Sequence, residues 1–247
     1  MNDNIVVGSW INSGSPVIAE LMSLCGFDFL TIDVEHSPVD IEKTFLMLQA
    51  IKSGNSECKA LVRVSGNSYS EIKRYMDAGA DGIICPLVNT KKDAQDLVDA
   101  VKYYPLGKRG VGYSRSNGYG LDILDSIKTD NDKTFVCVQI EHIDAIENLE
   151  EILSVEGIDA AIIGPYDLSA SMGLAGDLEH PKMEEAITYN LSVCQKMGVT
   201  PGIHVVQPDP AQVDSRIKQG YKFIAYSVDI KMISDLSQQG INHIKNR

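Results

Sequence analysis

The chain has 247 residues, 44% hydrophobic and 23% charged, the balance of an ordinary soluble globular domain and about the length of one (β/α)8 barrel. Its 34 acidic against 22 basic residues give a net charge of -12, which argues against nucleic acid as a partner, because phosphate contacts need a basic patch. No apolar run reaches membrane-spanning length, and the N-terminus MNDNIVVGSW has neither a basic region nor a long apolar run; no membrane partner and no signal peptide are expected, and the cytoplasm is the expected compartment.

Short apolar runs of β type alternate with longer amphipathic stretches. A strand over Ile5–Trp10 precedes a helical pattern over Val17–Cys25, and Phe29–Asp33 precedes Ile41–Lys52. Lys59–Val64 is followed by Ser70–Asp77, and Gly82–Pro86 by Lys92–Tyr103. Phe135–Glu141 leads to Ala145–Leu153, Asp159–Ile163 to Met183–Met197, Thr200–Val205 to Ala211–Gln219, and Lys222–Ser227 to Ile230–Gln239. The strands are near-continuous apolar runs, as expected where both faces of a parallel sheet are buried. Eight strands in regular alternation favour a closed parallel barrel over an open sheet, so the expected class is α/β, a (β/α)8 TIM barrel, with residues 1–247 as one domain. Gly26, Gly79, Gly198 and Gly220 stand where helices would end before the next strand. The long Gly-rich segment Pro105–Lys133 reads as a lid or binding loop, and its glycines match no nucleotide motif. Cys25, Cys58, Cys85, Cys137 and Cys194 are scattered and form no C-x-x-C pair; free buried thiols are expected.

Barrels of this class carry their chemistry at the C-terminal ends of the strands. Polar residues collect there: Asp33-Val34-Glu35-His36, Arg63, Gln139-Ile140-Glu141, Gly164-Pro165-Tyr166-Asp167 and His204. Gln139 and Glu141, two apart, face one side, while Val136, Val138 and Ile140 face the helices. A buried Glu141 needs a partner. That partner is either a divalent metal shared with Asp167, or Arg63, in which case Asp167 only caps the next helix. His36 is a general acid/base or a structural histidine, and Arg63 either stabilises an enolate oxygen or pairs with Asp33 or Glu35. His142 is assigned to the outer side, and His180 to a surface helix start. No lysine stands at a strand end, since Lys59 and Lys222 lie at strand starts, so a Schiff base is disfavoured and enolate chemistry would require a metal.

The segments Gly26-Phe27-Asp28-Phe29, Asp33-Val34-Glu35-His36-Ser37-Pro38, Val62-Arg63-Val64, Asp77-Ala78-Gly79-Ala80, Tyr104-Pro105-Leu106-Gly107-Lys108-Arg109-Gly110, Gln139-Ile140-Glu141 and Ile163-Gly164-Pro165-Tyr166-Asp167-Leu168-Ser169 occur in this order over nearly the whole chain. In these the sequence resembles the HpcH/HpaI family of class II (metal-dependent) pyruvate aldolases, of the 2-keto-3-deoxy acid and 2,4-dihydroxyhept-2-ene-1,7-dioate aldolase type. The resemblance implies reversible cleavage of a 2-keto-3-deoxy acid to pyruvate and an aldehyde, through a pyruvate enolate held at a divalent metal: Mg²⁺ or Mn²⁺ first, with Co²⁺ or Zn²⁺ as alternatives. It makes Glu141 and Asp167 metal ligands, Gln139 a support for the pyruvate end, and the backbone over Gly164, Pro165, Tyr166 and Asp167 the carboxylate site. Arg63 would lie over the keto oxygen, and His36 would act as acid/base through water. Asp77 would reach His36 of a neighbouring subunit in a homo-hexamer with an exchanged C-terminal helix. Trp10 would stand near the aldehyde end. Tyr166, His204 and the Gly112–Asn117 stretch depart from the family pattern and suggest a polar aldehyde. Two other readings are a citrate-lyase-type enzyme acting on an acyl thioester and a non-catalytic keto-acid-binding barrel.

Overall fold

A computed structural model of the chain describes residues 5–246. The expectation about the N-terminus falls partly on residues 1–4, outside the described residues. Eight parallel strands close into a barrel in sequence order. They are β1 (Val6–Ile11), β2 (Phe29–Asp33), β3 (Lys59–Arg63), β4 (Gly82–Cys85), β5 (Phe135–Ile140), β6 (Ala160–Ile163), β7 (Thr200–Val205) and β8 (Phe223–Val228). The outer ring holds α1 (Pro16–Leu24), α2 (Ile41–Gly54), α3 (Tyr69–Asp77), α4 (Lys91–Val101), α5 (Ile123–Lys133), α6 (Ile143–Glu147), α7 (Leu149–Leu153), α8 (Pro165–Ser171), α9 (Pro181–Met197), α10 (Pro210–Gln219) and α11 (Asp229–Lys245).

The expected barrel is therefore present, with differences that have local causes. The helical pattern over Ala145–Leu153 is two short helices meeting at Asn148, whose side-chain amide donates to the Asn89 carbonyl (2.9 Å). α8 was not expected, although Gly164 followed by Pro165 is a good helix start because Pro needs no N–H partner at the first helical position. The segment expected to be a lid or binding loop contains a 3-10 turn over Arg115–Gly120 and α5. It is bound to α3: the Tyr69 hydroxyl donates to the Lys108 carbonyl and accepts from the Gly110 amide, both at 2.9 Å, and Arg115 donates to the Ala78 carbonyl at 3.1 Å. Gly26, Gly79, Gly198 and Gly220 all have left-handed φ at the helix-to-strand junctions, as expected. Cys58, Cys85, Cys137 and Cys194 are buried free thiols; Cys25 is exposed at the end of α1, against expectation.

The core has two layers. Inside the barrel, Phe29 and Phe223 stack with centroids 4.3 Å apart, below Leu61, Ile84, Cys137 and Ile162. Gly8 makes room for this pair, since a Cβ there would lie 2.4 Å from the Phe29 ring. Truncating Phe29 to Ala removes about 3–5 kcal/mol by leaving that space empty. Between barrel and helices lie Val136, Val138 and Ile140, on the face opposite Cys137, as the alternation requires. The two barrel ends differ in purpose. At the N-terminal end Asp28, Asp81 and Asp159 each stand just before a strand and accept the amide hydrogen of the second residue of the preceding strand, from Val7, Ala60 and Val136 at 2.7–2.8 Å. They tie the barrel shut at that end and leave the other free for chemistry.

Candidate active site

Asp33 organises the C-terminal mouth. It ends β2 directly beside Arg63, its register partner at the end of β3. Arg63 Nε and Nη2 donate to the two Asp33 carboxylate oxygens at 2.9 and 2.6 Å. Asn12 Nδ2 and the amides of Glu35 and His36 donate to the same carboxylate. Burial works to raise the Asp33 pKa, but the bonds and charge of Arg63 outweigh it and hold the carboxyl below its ordinary value. The Glu35 carboxylate lies 3.4 Å from Arg63 Nη1 and 3.7 Å from His36 Nε2, and burial pushes its pKa up. The Arg63 guanidinium lies 4.2 Å over the Trp10 ring. Of the two readings of Arg63, the ion pair with Asp33 and Glu35 is present. It leaves some of the five guanidinium hydrogens open to a ligand, because Asp33 takes two and Glu35 faces a third.

Glu141 follows β5 and is only 4% exposed. One carboxylate oxygen accepts the Leu87 amide at 2.8 Å, and the other accepts the Gln139 side-chain amide. Leu87 holds a left-handed φ of 52° after β4, a conformation an L residue seldom adopts, and thereby turns its N–H to Glu141. Among the described residues no lysine or arginine forms an ion pair with Glu141. Its pKa is raised, first by burial and further by the Asp167 carboxylate. Gln139 Oε1 is buried and has no hydrogen-bond partner. Asp167 stands in the first turn of α8, exposed, and its side chain makes no hydrogen bond or ion pair among the described residues. Gly164 is required for this packing: a Cβ on it would lie 2.9 Å from a Glu141 carboxylate oxygen and 3.1 Å from the Gln139 amide nitrogen.

These observations test the fit of a divalent cation. Asp33, Glu35, Glu141 and the exposed Asp167 bring four carboxylates to the mouth against one guanidinium, so the site holds excess negative charge, part of it on buried carboxylates. The protein donors beside Glu141 are all oxygens, and one of them, on Gln139, is unpartnered. Among the described residues no group of three or more His, Cys, Asp or Glu side chains is arranged to hold a metal, so a cation held by this pair would complete its shell with water or substrate oxygens. The residues present fit a hard cation at Glu141 and Asp167.

Beside this pair lies a cavity of about 230 Å³. Trp10, His36, Arg63, Gln139 and His204 line it, as do Gly164, Pro165, Tyr166 and Asp167. The expected site residues therefore line this cavity except Glu141, which packs against the lining residues Gly164 and Gln139; Asp77 lies apart, as expected of a residue meant for a neighbouring subunit. Asp77 ends α3 and accepts from the buried Arg109 at 2.8 Å, away from its own barrel's cavity. The Gly112–Asn117 stretch, expected to bear on the aldehyde, also contributes nothing to the cavity lining. His142 and His180 cap helices through their own ring nitrogens, in keeping with the outward assignment of the first and the helix-start assignment of the second. The sequence reading missed Asn12 and Leu87 as supports, and treated Asp33 only as a possible ion-pair partner. Its place beside Arg63 on the next strand end was the available signal.

A family model described as HpcH/HpaI aldolase/citrate lyase matches residues 7–235. A hydroxypyruvate/pyruvate aldolase of Sagittula stellata is 38% identical over 92% of this chain and 88% of its own length. A 2-keto-3-deoxy-L-rhamnonate aldolase of Escherichia coli is 35% identical over 98% and 90%. The crystal structure of an HpcH/HpaI aldolase/citrate lyase family protein from Burkholderia cenocepacia superposes with a TM-score of 0.93 at 31% identity, covering 99% of this chain and 96% of that one. With the mouth geometry and these likenesses together, the chain belongs to the HpcH/HpaI aldolase/citrate lyase family.

Proposed function

We propose that the chain, acting over residues 1–247 as one unit, is a divalent-metal-dependent carbon–carbon lyase that reversibly cleaves 2-keto-3-deoxy acids to pyruvate and an aldehyde. The observation that carries this is the buried Glu141 facing Asp167 with no cationic partner, beside a cavity that also holds Arg63 and His36. When bound, a divalent cation supplies a Lewis acid that draws charge from the keto oxygen of the substrate. The backbone over Gly164–Asp167, where α8 begins without a side-chain cap, takes the substrate carboxylate. Arg63, fixed by Asp33, stabilises the keto oxygen as it gains charge. His36, on the exposed loop after β2, takes the C4 hydroxyl proton through water. As that O–H bond breaks, the C4 carbonyl forms, the C3–C4 bond breaks, and its electrons pass into the pyruvate enolate. Protonation at C3 then gives pyruvate. In the synthetic direction the same groups act in reverse.

The all-oxygen donor set favours Mg²⁺ or Mn²⁺ over Zn²⁺, with Co²⁺ as an alternative. A homo-hexamer is the proposed assembly, and the proposed compartment is the cytoplasm. Of α11 only Asp229 is buried, while Ile230, Ile233, Leu236, Ile241 and Ile244 are exposed, which supports a C-terminal helix that packs on a second copy. In that assembly Asp77, held by Arg109, is proposed to meet His36 of a neighbour. Among the described residues no helix is long and apolar enough to cross a membrane. An acyl-thioester substrate is disfavoured, since Arg63 is the one lysine or arginine lining the cavity and is already paired. The test is pyruvate release from a panel of 2-keto-3-deoxy acids before and after metal stripping. Release is expected to stop on stripping and to return with Mg²⁺ or Mn²⁺; release that persists without metal refutes the reading.

A further inference from the structure

We infer that His204 selects the aldehyde partner by presenting a bare hydrogen-bond acceptor to a hydroxyl group of the substrate, so that neutral hydroxyaldehydes are preferred over both alkyl aldehydes and aldehydes ending in a carboxylate. The inference rests on the aldolase reading above and adds the acceptor class to it.

His204 stands on β7 with its ring 5.4 Å from that of Trp10, and both line the mouth cavity. Its Nε2 lies 3.2 Å from the Ser227 carbonyl oxygen. A carbonyl oxygen only accepts, so Nε2 carries the hydrogen. Burial pushes the pKa of the ring down to about 4, so near neutral pH it holds one proton, and that proton is on Nε2. Nδ1 is then a lone pair. It has no hydrogen-bond partner among the described residues, and it is not among the polar atoms sealed from solvent. An accessible acceptor in the cavity wall, without a donor of its own, suits a substrate hydroxyl.

The backbone that fixes this tautomer is itself unusual. Ser227 has a φ of 53°, in the left-handed region, and the pairing of β1 with β8 slips between Gly8 and Trp10 at this level. That conformation brings the Ser227 carbonyl within reach of both His204 and the Ser9 hydroxyl, at 3.2 and 3.4 Å. A strained residue at a barrel mouth that sets one ring nitrogen as donor leaves the other with a defined role. The charges in the cavity disfavour the acidic alternative. Arg63 is its one lysine or arginine and is paired with Asp33 and Glu35, while the Asp167 carboxylate also lines it. Beyond the Arg63 hydrogens that the keto oxygen uses, a carboxylate tail finds no second guanidinium or ammonium in the lining and meets the Asp167 charge.

The experiment measures kcat/KM in the synthetic direction with pyruvate and Mg²⁺ for glyceraldehyde, propanal and succinic semialdehyde, in wild type, His204→Leu and His204→Asn. Comparing ratios between variants cancels the intrinsic reactivity of each aldehyde. His204→Leu is expected to lower the glyceraldehyde-to-propanal ratio about 10-fold, the worth of one hydrogen bond to a neutral acceptor. His204→Asn, whose Oδ1 stands near the position of Nδ1, is expected to keep most of that ratio. In wild type succinic semialdehyde is expected to be the poorest of the three. An unchanged ratio in His204→Leu overturns the inference, as does a wild-type preference for succinic semialdehyde. Independently of turnover, proton–nitrogen correlation spectra are expected to show His204 as a neutral, Nε2-protonated ring, and a proton on Nδ1 overturns it. Exchange of the pyruvate methyl hydrogens for deuterium by wild type separates the two levels. No exchange refutes the aldolase reading itself, whereas exchange with an unmoved ratio refutes only the role of His204.

Discussion

Gly164→Ala separates metal retention from folding. Gly164 has φ −97° and ψ 90°, which any residue can adopt, so the substitution brings no backbone strain. What it adds is a methyl group 2.9 Å from a Glu141 carboxylate oxygen, 3.0 Å from the Glu141 Cβ and 3.1 Å from the Gln139 amide nitrogen. Ordinary contact begins at 3.4 Å, so the carboxylate has to withdraw by about 0.5 Å. A metal site tolerates ligand displacements of only about 0.2 Å. Affinity for Mn²⁺ should therefore fall by about 10- to 100-fold, the range seen when groups that orient a ligand are disturbed, or about 1.4–2.7 kcal/mol. Folding should lose only about 1 kcal/mol, the low end of overpacking costs, because the crowding sits at an open mouth. Titration of free Mn²⁺ by electron spin resonance reads the first quantity, and chelator-treated melts read the second. Binding within about two-fold of wild type, in a protein that melts normally, would show that Glu141 does not hold the metal.

Three further outcomes follow from the same geometry. Glu141→Gln removes a buried charge that has no cationic partner, so the metal-free variant should melt higher than wild type at pH 7 yet gain nothing from added Mn²⁺, while wild type gains about 2.7 kcal/mol at a hundredfold excess over Kd; a metal-induced rise in the variant would contradict the ligand assignment. For His204, the unfolded ring takes a proton near 6.5 whereas the folded ring refuses it until about 4; the folded state thus binds fewer protons in this window, and stability falls as pH drops through it, by up to about 3 kcal/mol. Urea midpoints at pH 7 and 4.5, in chelator, should show a smaller acid loss for His204→Asn than for wild type, and equal losses would show that the ring is not buried neutral. Leu236→Asp puts a charge on the exposed apolar face of α11 and should reduce the solution mass measured by light scattering while far-ultraviolet dichroism is unchanged; an unchanged mass removes α11 from the interface.

The barrel was legible in the sequence because its strands are buried on both faces and its helices end in glycines. Both are patterns of single segments. The Gln139–Glu141 parity and the clustering of polar residues at strand ends were legible for the same reason. What escaped were features that depend on two distant segments meeting. Asp33 was a neighbour of His36 in sequence, but its role as the acceptor for Arg63, Asn12 and two amides exists only once β2 lies beside β3 in register. The Leu87 amide reaches Glu141 across a separation of 54 residues through a φ that no leucine announces. The segment Pro105–Lys133 misled because abundant glycine masked α5 and because nothing local says that Tyr69 would bind it to the outer ring.

Where each part of the site originates along the barrel has an evolutionary consequence. The two carboxylates proposed to hold the metal come from the ends of β5 and β6, neighbours in the second half of the chain. The guanidinium and the imidazole proposed to handle charge and protons come from β3 and the loop after β2, in the first half. His204 and Ser227, at the end of the chain, face neither task. On these proposals chelation, proton handling and the His204 contribution to choice of partner are coded in three separate stretches of sequence. Substitutions in the last of these can change what the enzyme accepts while the stretches that keep it an enzyme remain untouched.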